Sequence, residues 1–331
     1  MAKYTVYITQ HGDKDDISVE AAVLGDDVDL RVIRSRDPVE IGRQAKDGDA
    51  LLVWRTPIPD QALGQMERCQ VIVRIGVGFD IVDVIAAREY GIPVCNVPDY
   101  GTNDVADHAM GLMLALRRGI PVFNDLVRAG NEGWAYSVAG PLSRLTGQTL
   151  GIVGFGRIGT GVALRAKAFG LRVLVYDPYV PAGQEKALGV ERVRTLGELL
   201  GASDIVSLHT PLSPETRNLA GRGFFAQVKP GMVLVNTSRG GVLDIDALET
   251  AMRDGRVALA GLDVLPTEPP SPVPSLIQAW RDGEPWIKGR LLVTPHAAFY
   301  NEQSYHEMRT KAALTVRDVL DGQPPRNCVN C

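Results

Sequence analysis

Short apolar runs recur along the chain, separated by segments long enough for a helix or a loop. In the first third they cover residues 4–8, 30–33, 51–54, 71–75 and 93–97. A second series covers residues 149–153, 172–176, 204–208, 232–235, 258–262 and 291–293. Runs that are nearly continuous in Val, Ile and Leu are typical of parallel strands covered on both faces. The pattern therefore predicts an α/β protein with two doubly wound parallel-sheet domains.

Two other segments repeat apolar residues at helical spacing. Residues 103–118 lie between the two strand series and predict a helix that joins the two domains. Residues 302–320 follow the last strand and predict a final helix that returns to the first domain. We therefore expect residues 1–101 plus 300–331 to form one domain and residues 102–299 to form the other.

Composition excludes several functional classes. The net charge of -4 and the pI of about 5.8 provide no basic field, so direct binding to nucleic acid is not expected. No stretch approaches the roughly 18 apolar residues of a membrane span, and the N-terminus lacks a signal-peptide core, which predicts a cytoplasmic protein. Cys328 and Cys331 form a lone C-x-x-C without further ligands, so neither a metal site nor a redox role is expected there.

A glycine motif follows the apolar run 149–153 and opens a helical segment. Gly154 permits a tight turn, Gly156 lets the backbone approach a diphosphate, and Gly159 permits close packing of helix on sheet. Asp177 closes the next strand, where its carboxylate would accept hydrogen bonds from ribose hydroxyls and repel a 2′-phosphate. This order predicts NAD rather than NADP. The alternatives are a tight turn without a ligand and, for Asp177, a turn residue before Pro178.

Polar residues appear abruptly at three later strand ends, which should converge because parallel strands end at one edge of the sheet. Arg239 offers a planar fork for carboxylate and carbonyl oxygens. His296 is suited to give a proton to a developing alkoxide, and Glu268 to orient and charge that imidazole. Each has a simpler alternative: a surface arginine, a packed histidine and a loop acid.

The same segments resemble the signatures of the D-2-hydroxyacid dehydrogenases. These are VNTSRGGVLD at 235–244, LDVLPTEP at 262–269, TPHAAFY at 294–300 and VRIGVGFD at 73–80. Further segments, VALRAKAFG at 162–170, YDPY at 176–179 and NCVN at 327–330, resemble the C-terminal binding proteins and their bacterial dehydrogenase relatives. The resemblance implies a flavodoxin-like substrate domain and a Rossmann NAD-binding domain.

By position, the resemblance also implies residue roles. Arg239 would bind the substrate carboxylate and keto oxygen, His296 would be the acid/base, and Glu268 its partner. Asp263 would hold the nicotinamide carboxamide, and the backbone of residues 75–78 would present N–H groups to the carboxylate. The remaining cofactor-binding residues would be Arg157, Ile158, His209, Thr210, Pro211, Thr216, Thr237 and Ser238. The remaining substrate-binding residues would be Arg55, Arg74, Gly76, Val77 and Gly78.

The function implied is hydride transfer between NAD and C2 of a small 2-hydroxy or 2-keto acid, in a homodimer. Arg55 and Arg74 suggest a second anionic group on the substrate, although ordinary surface arginines explain them equally well. Phe299 replaces a tryptophan of the C-terminal binding proteins. Residues 269–290 are longer than the family's usual connection, which predicts a lid or partner surface.

The alternative functions belong to different classes of protein. One is a 3-phosphoglycerate dehydrogenase without a regulatory domain. Another is an NAD-sensing, corepressor-like protein that binds protein partners. A formate dehydrogenase is disfavoured because Glu268 is acidic, whereas that branch carries glutamine.

Overall fold

A computed structural model of the protein describes residues 2–9, 16–130, 134–139 and 142–331. The chain divides into two compact units, each with its own sheet and core. The smaller unit comprises residues 1–101 and 300–331, and the larger unit comprises residues 102–299.

Strands and helices alternate in both units. The smaller unit contains β1 (Tyr4–Thr9), α1 (Ser18–Leu24), β2 (Val28–Ile33), α2 (Pro38–Gln44), β3 (Ala50–Val53), α3 (Asp60–Leu63), β4 (Val71–Arg74), α4 (Val84–Glu89) and β5 (Val94–Cys95). The larger unit contains α5 (Thr102–Arg117), α6 (Ile120–Arg128), β6 (Thr149–Val153), α7 (Arg157–Ala168), β7 (Arg172–Tyr176), α8 (Gln184–Leu188), β8 (Glu191–Arg192), α9 (Leu196–Ala202), β9 (Ile205–Leu208), α10 (Arg222–Phe225), β10 (Met232–Asn236), α11 (Ile245–Arg253), β11 (Val257–Leu262), α12 (Ser275–Arg281) and β12 (Leu291–Val293). The final helix, α13 (Glu302–Leu320), belongs to the smaller unit. Short 3-10 helices span Tyr136–Ala139 and Gly240–Val242.

The smaller unit has a five-stranded sheet in the order β2-β1-β3-β4-β5, and every pairing is parallel. This is the flavodoxin-like order. The final helix α13 packs on α1, and a buried ion pair between Arg309 and Glu20 joins the two helices, with Nη2 2.6 Å from Oε2. Because both partners are buried, each charge depends on the other for its stabilisation.

The larger unit has a seven-stranded parallel sheet in the order β12-β11-β10-β9-β6-β7-β8. Alternation along β10 places Met232 and Leu234 in one core with α11, and Val233 and Val235 in a second core with α5 and α7. The sheet is therefore covered on both faces, as the apolar runs predicted, and its order is that of a Rossmann fold with one added strand. The predicted fold class is confirmed.

Several details differ from the sequence-based expectations. The segment 269–290 is not the continuous loop that was expected, because it contains α12, whose Leu276 and Ile277 are buried in the core of the larger unit. Its role as a lid or partner surface stays a prediction. Cys328 and Cys331 form a disulfide, although no redox role was expected there. Within the described part of the chain, no helix is both long and apolar enough to cross a membrane.

Candidate active site

The candidate site lies at the carboxyl edge of the seven-stranded sheet. The strand order reverses between β6 and β9, and in open parallel sheets such a switch point is where ligands bind. The loops that follow these strands and their neighbours carry the polar residues singled out in the sequence. Different contacts hold each of these loops in its shape.

The glycine turn after β6 uses its three glycines differently. Gly154 has a φ of +93°, and a Cβ there would lie 2.7 Å from the carbonyl carbon and oxygen of His209. A Cβ at Gly159 would lie 2.2 Å from the carbonyl oxygen of Gly154. A Cβ at Gly156 would meet no neighbouring atom within 4 Å. The fold itself thus requires the first and third glycines, whereas the second borders open space.

That open space lies at the N-terminus of α7. Gly156 is the N-cap and provides no side-chain cap, and the first turn contains no acidic residue. The first backbone N–H groups of a helix have no partner within it, so the start of α7 is suited to an anion. The turn and helix together fit the diphosphate of a dinucleotide.

Asp177 fixes the turn after β7 against the glycine turn. Its Oδ2 accepts a hydrogen bond from Phe155 N at 2.8 Å, and its Oδ1 accepts from Tyr179 N at 2.9 Å and from Val180 N at 3.2 Å. A carboxylate has about four acceptor positions, so one remains for a ligand hydroxyl. Asp177 is therefore a turn residue in the structure, which was the alternative to ribose binding, and this position is compatible with ribose binding as well.

Two buried hydroxyls follow β9 and β10. Thr210 Oγ1 and Thr237 Oγ1 have no hydrogen-bond partner among the residues that the structure describes. Buried polar groups in native proteins are nearly always hydrogen-bonded, and those without a partner require an explanation. A polar ligand at this edge of the sheet would provide one, which fits the prediction that both threonines bind the cofactor.

His209 follows β9 and is neutral at physiological pH. Its side chain is half-buried, and desolvation of the ring lowers the pKa of His209 to about 4. Ser207 Oγ lies 2.8 Å from Nε2. A neutral imidazole can donate or accept a hydrogen bond without adding charge beside a dinucleotide.

The next loop is stabilised by its own hydrogen bonds. Thr216 Oγ1 donates to the carbonyl oxygen of Pro211 at 2.6 Å, and it accepts from Ser213 N at 2.8 Å. Thr216 thus shapes this turn. Direct contact of Thr216 and Pro211 with a cofactor stays a prediction.

Arg239 is held at the end of β10 by Asn236, a residue of the predicted strand-end segment for which no role was predicted. The side chain of fully buried Asn236 accepts from Ser238 N at 3.0 Å and donates to the carbonyl oxygen of Arg239 at 3.1 Å. The Arg239 guanidinium donates to Ser238 O at 2.9 Å. Gly240 follows, and a Cβ there would lie 1.9 Å from the carbonyl of Leu265. The turn that contains Arg239 and Gly240 therefore packs directly on the loop that leads to Glu268.

His296 and Glu268 form the predicted pair. His296 Nδ1 lies 2.6 Å from Glu268 Oε2, and Glu268 Oε1 accepts from Leu265 N at 3.0 Å. About a quarter of each side chain is exposed, 25% for His296 and 30% for Glu268. His296 has a φ of +53°, a conformation that is rare for residues other than glycine and that clusters at functional sites. With Nδ1 engaged by Glu268, Nε2 is the nitrogen suited to exchange a proton with a substrate.

Asp263 organises the loop that carries His296. Its carboxylate, which is 2% exposed, accepts from Thr294 Oγ1 at 2.6 Å, from Ala297 N at 2.8 Å and from Ala298 N at 3.0 Å. Its carbonyl oxygen accepts from His296 N at 2.7 Å. The sequence analysis assigned Asp263 only to the nicotinamide carboxamide, and that contact stays a prediction.

His108 extends this network from α5. Its Nε2 lies 3.0 Å from Thr294 Oγ1, the hydroxyl that donates to Asp263. No role was predicted for His108 or Thr294. His108 lies within the helix α5, and the available signal for Thr294 was its position directly after β12.

The predicted substrate residues of the smaller unit follow β3 and β4. Arg55 is exposed. Arg74 Nη1 donates to Ile75 O at 2.7 Å, and its guanidinium occupies the space where a side chain at residue 76 would lie. The carbonyl oxygens of Gly76 and Val77 accept from Val97 N at 3.0 Å and Asn96 Nδ2 at 2.6 Å. Substrate binding by these residues and by Gly78 stays a prediction.

Residues 110–298 match the NAD binding domain of the D-isomer specific 2-hydroxyacid dehydrogenases. Because this match covers more than half of the 331 residues, the chain belongs to that family. A D-3-phosphoglycerate dehydrogenase from Methanocaldococcus jannaschii is 38% identical over 292 residues, which are 88% of this chain and 53% of that protein. The chain thus spans about half the length of the curated relatives it matches.

Two solved structures are similar over almost the whole chain. The D-lactate dehydrogenase from Aquifex aeolicus, complexed with NAD and lactic acid, has a TM-score of 0.85 and 28% identity, covering 98% of this chain and 99% of that chain. The NADPH-dependent glyoxylate/hydroxypyruvate reductase from Sinorhizobium meliloti, in complex with NADP and malonate, has a TM-score of 0.85 and 26% identity, covering 99% and 97%. The predicted family and its NAD-binding domain are confirmed. The finer resemblance to the C-terminal binding proteins stays a prediction.

Proposed function

We propose that the protein is an NAD-dependent dehydrogenase that interconverts a small 2-hydroxy acid and its 2-keto acid. The observation that carries this proposal is the 2.6 Å contact between His296 Nδ1 and Glu268 Oε2. This pair lies at the same edge of the sheet as the glycine turn of Gly154 and Gly156. An acid/base pair beside a dinucleotide site is the arrangement that carbonyl reduction requires.

Each side chain has one task in this mechanism. Bound nicotinamide supplies or accepts the hydride at C2 of the substrate. Arg239 binds the substrate carboxylate and polarises the carbonyl through its planar donor fork. His296 gives a proton from Nε2 to the carbonyl oxygen during reduction and takes it back during oxidation. Glu268 fixes the imidazole orientation through its contact with Nδ1.

The test is NADH oxidation with a panel of 2-keto acids. His296→Ala should lower kcat by about 10²–10⁴, the range for loss of a general acid/base, with NADH affinity unchanged. The matched control is His306→Ala, which removes an exposed histidine of α13. Full activity of His296→Ala would refute the assigned role.

We propose further that NAD is preferred over NADP because of Asp177. Its carboxylate would lie against the ribose of the dinucleotide and repel a 2′-phosphate. Asp177→Ser should raise the efficiency ratio of NADPH to NADH by about tenfold or more, corresponding to roughly 1.4 kcal/mol. Equal use of both cofactors by the parent protein would contradict this assignment.

A second candidate is a 3-phosphoglycerate dehydrogenase. The 38% identity to an enzyme of that name favours it, and the predicted substrate residues Arg55 and Arg74 suit a second anionic group. The assay compares 3-phosphohydroxypyruvate with pyruvate and glyoxylate. A kcat/KM for the phosphorylated acid that falls on Arg55→Gln, with pyruvate unaffected, would favour this candidate. Equal kcat/KM for all three acids would exclude it.

We propose that the protein forms a homodimer through α6. No residue of this helix is buried, and Ile120 and Val127 are 54% and 51% exposed. Trp134 and Tyr136 follow it and are 86% and 87% exposed. Large apolar side chains that are exposed in this way are typical of interaction sites. Sedimentation should show a dimer that Val127→Lys weakens, and a monomeric parent would contradict the proposal.

The cytoplasmic location expected from the sequence also stays a proposal. Cell fractionation with detection of the native protein tests it, and recovery in a membrane or secreted fraction would contradict it.

A further inference from the structure

The C-terminal segment 327–331, termed the tail, pairs with the edge strand of the smaller sheet. Val329 N donates to Val94 O at 2.8 Å, and Asn96 N donates to Asn327 O at 3.4 Å. Cys328 forms an antiparallel bridge with Cys95. The tail therefore continues the sheet beyond β5 and covers an edge that would otherwise expose unpaired backbone groups.

The disulfide encloses the two residues that dock the tail. Between Cys328 and Cys331 lie Val329, which packs against the core of the smaller unit, and Asn330. The Asn330 side chain accepts from Val94 N at 2.7 Å and donates to Ile92 O at 3.0 Å. It makes a further, longer hydrogen bond to α4. The covalent ring thus restrains the turn that presents the docking groups.

We propose that Cys328 and Cys331 form a redox-active pair, which a small dithiol or a dithiol protein opens, and that their oxidation state sets how firmly the tail docks on β5. A reductant thiolate attacks Sγ of Cys331, the more exposed residue of the pair, forms a mixed disulfide and releases Cys328 as a thiolate. The second reductant thiolate then displaces Cys331. The pair gains two electrons and two protons, and the reductant leaves as a disulfide.

The other two cysteines are suited to remain outside this exchange. Cys69 and Cys95 are free thiols in the structure. Burial raises the pKa of Cys69 to about 12 and that of Cys95 to about 11, so neither supplies a thiolate near neutral pH. They serve as internal controls for any thiol measurement.

Hydrogen bonds connect the docked tail to the predicted substrate loop within the same unit. Asn96, whose backbone donates to the tail, also donates from Nδ2 to Val77 O at 2.6 Å. Val97 N donates to Gly76 O at 3.0 Å. Release of the tail would therefore loosen a restraint on residues 76 and 77. This last step rests on the proposed function, because that function assigns the loop to the substrate.

The experiment equilibrates the full chain with oxidised or reduced dithiothreitol. Alkylation followed by mass spectrometry should add labels at Cys328 and Cys331 only after reduction, and none at Cys69 or Cys95 until the protein is denatured. Amide hydrogen exchange at Val94 and Val329 should accelerate on the order of tenfold in the reduced state, because a cross-link restricts the open chain.

Two variants separate the parts of the proposal. Cys331→Ser should show fast exchange at Val94 and Val329 under both conditions. Asn330→Ala should keep the reversible labelling of the pair but lose the protection. Equal labelling of Cys328 and Cys331 under both conditions, or equal exchange in both states, would overturn the proposal. None of these measurements needs turnover, so a failure here is distinct from a failure of the dehydrogenase assignment.

Discussion

Replacing Gly156 with alanine should impair the cofactor site while leaving the fold intact. The new methyl would meet no neighbouring atom within 4 Å, and the φ of -77° suits any L-residue. We therefore expect the free energy of unfolding to change by less than about 0.5 kcal/mol. If a diphosphate lies against this backbone, the methyl occupies its space, and NADH should bind about 10- to 100-fold more weakly, corresponding to about 1.4–2.8 kcal/mol.

Gly159→Ala should instead lower the stability of the fold. Its Cβ would lie 2.2 Å from the carbonyl oxygen of Gly154, against at least 3.4 Å for an ordinary contact. The helix or the turn must shift by more than 1 Å, judged from these two distances, and overpacking of this kind costs about 1–3 kcal/mol. Gly223→Ala is the matched control, because its Cβ also meets no neighbouring atom within 4 Å and lies in α10.

Urea unfolding and NADH fluorescence titration measure both quantities for all three variants. The expected pattern is weak binding with parental stability for Gly156→Ala, reduced stability for Gly159→Ala, and no change for Gly223→Ala. Parental NADH affinity in Gly156→Ala would refute the placement of the diphosphate at this turn.

Two further predictions concern buried charge. The pKa of His209 is about 4 in the folded protein and about 6.5 when unfolded, so the unfolded state binds more protons between these values. Stability should fall by roughly 1–2 kcal/mol between pH 7 and pH 5, and His209→Asn should flatten that slope in urea titrations; an unchanged slope would contradict the assignment. Arg309→Met should cost about 3–5 kcal/mol because it leaves Glu20 buried and unpaired, whereas adding Glu20→Met should recover most of the loss. A double variant that is no more stable than Arg309→Met, or whose loss equals the sum of the two single losses, would contradict this prediction.

The fold was largely predictable because its strands are buried on both faces. Their Val, Ile and Leu runs stand out in the sequence, and the observed strands β6 and β7 begin and end at the predicted residues. The exception is β8, whose two residues, Glu191 and Arg192, are polar. An edge strand of two polar residues has no apolar run to reveal it. The α12 segment was misjudged because its length suggested a loop.

The site was predictable where candidate catalytic or cofactor-binding residues follow the strands. Gly154 directly follows β6, and His296 and Glu268 lie in the loops that follow β12 and β11. The types of these residues restrict the chemistry. The roles of Asn236 and Thr294 were not predicted, although both lie in the predicted strand-end segments, because a polar residue at a strand end shows its function only through its hydrogen-bond partners. The pairing of the tail with β5 could likewise not be predicted from the sequence, since more than two hundred residues separate the two segments.

In the proposed reaction, a hydride moves between NAD and C2 of the substrate beside the His296–Glu268 pair. Reduction of a 2-keto acid by NADH deuterated at C4, on its transferable face, tests this claim most directly by mass spectrometry of the product. We expect one deuterium at C2 of the hydroxy acid with the parent protein and almost no labelled product with His296→Ala. Oxidation of the labelled NADH without deuterium at C2, or equal labelling by both proteins, would contradict it.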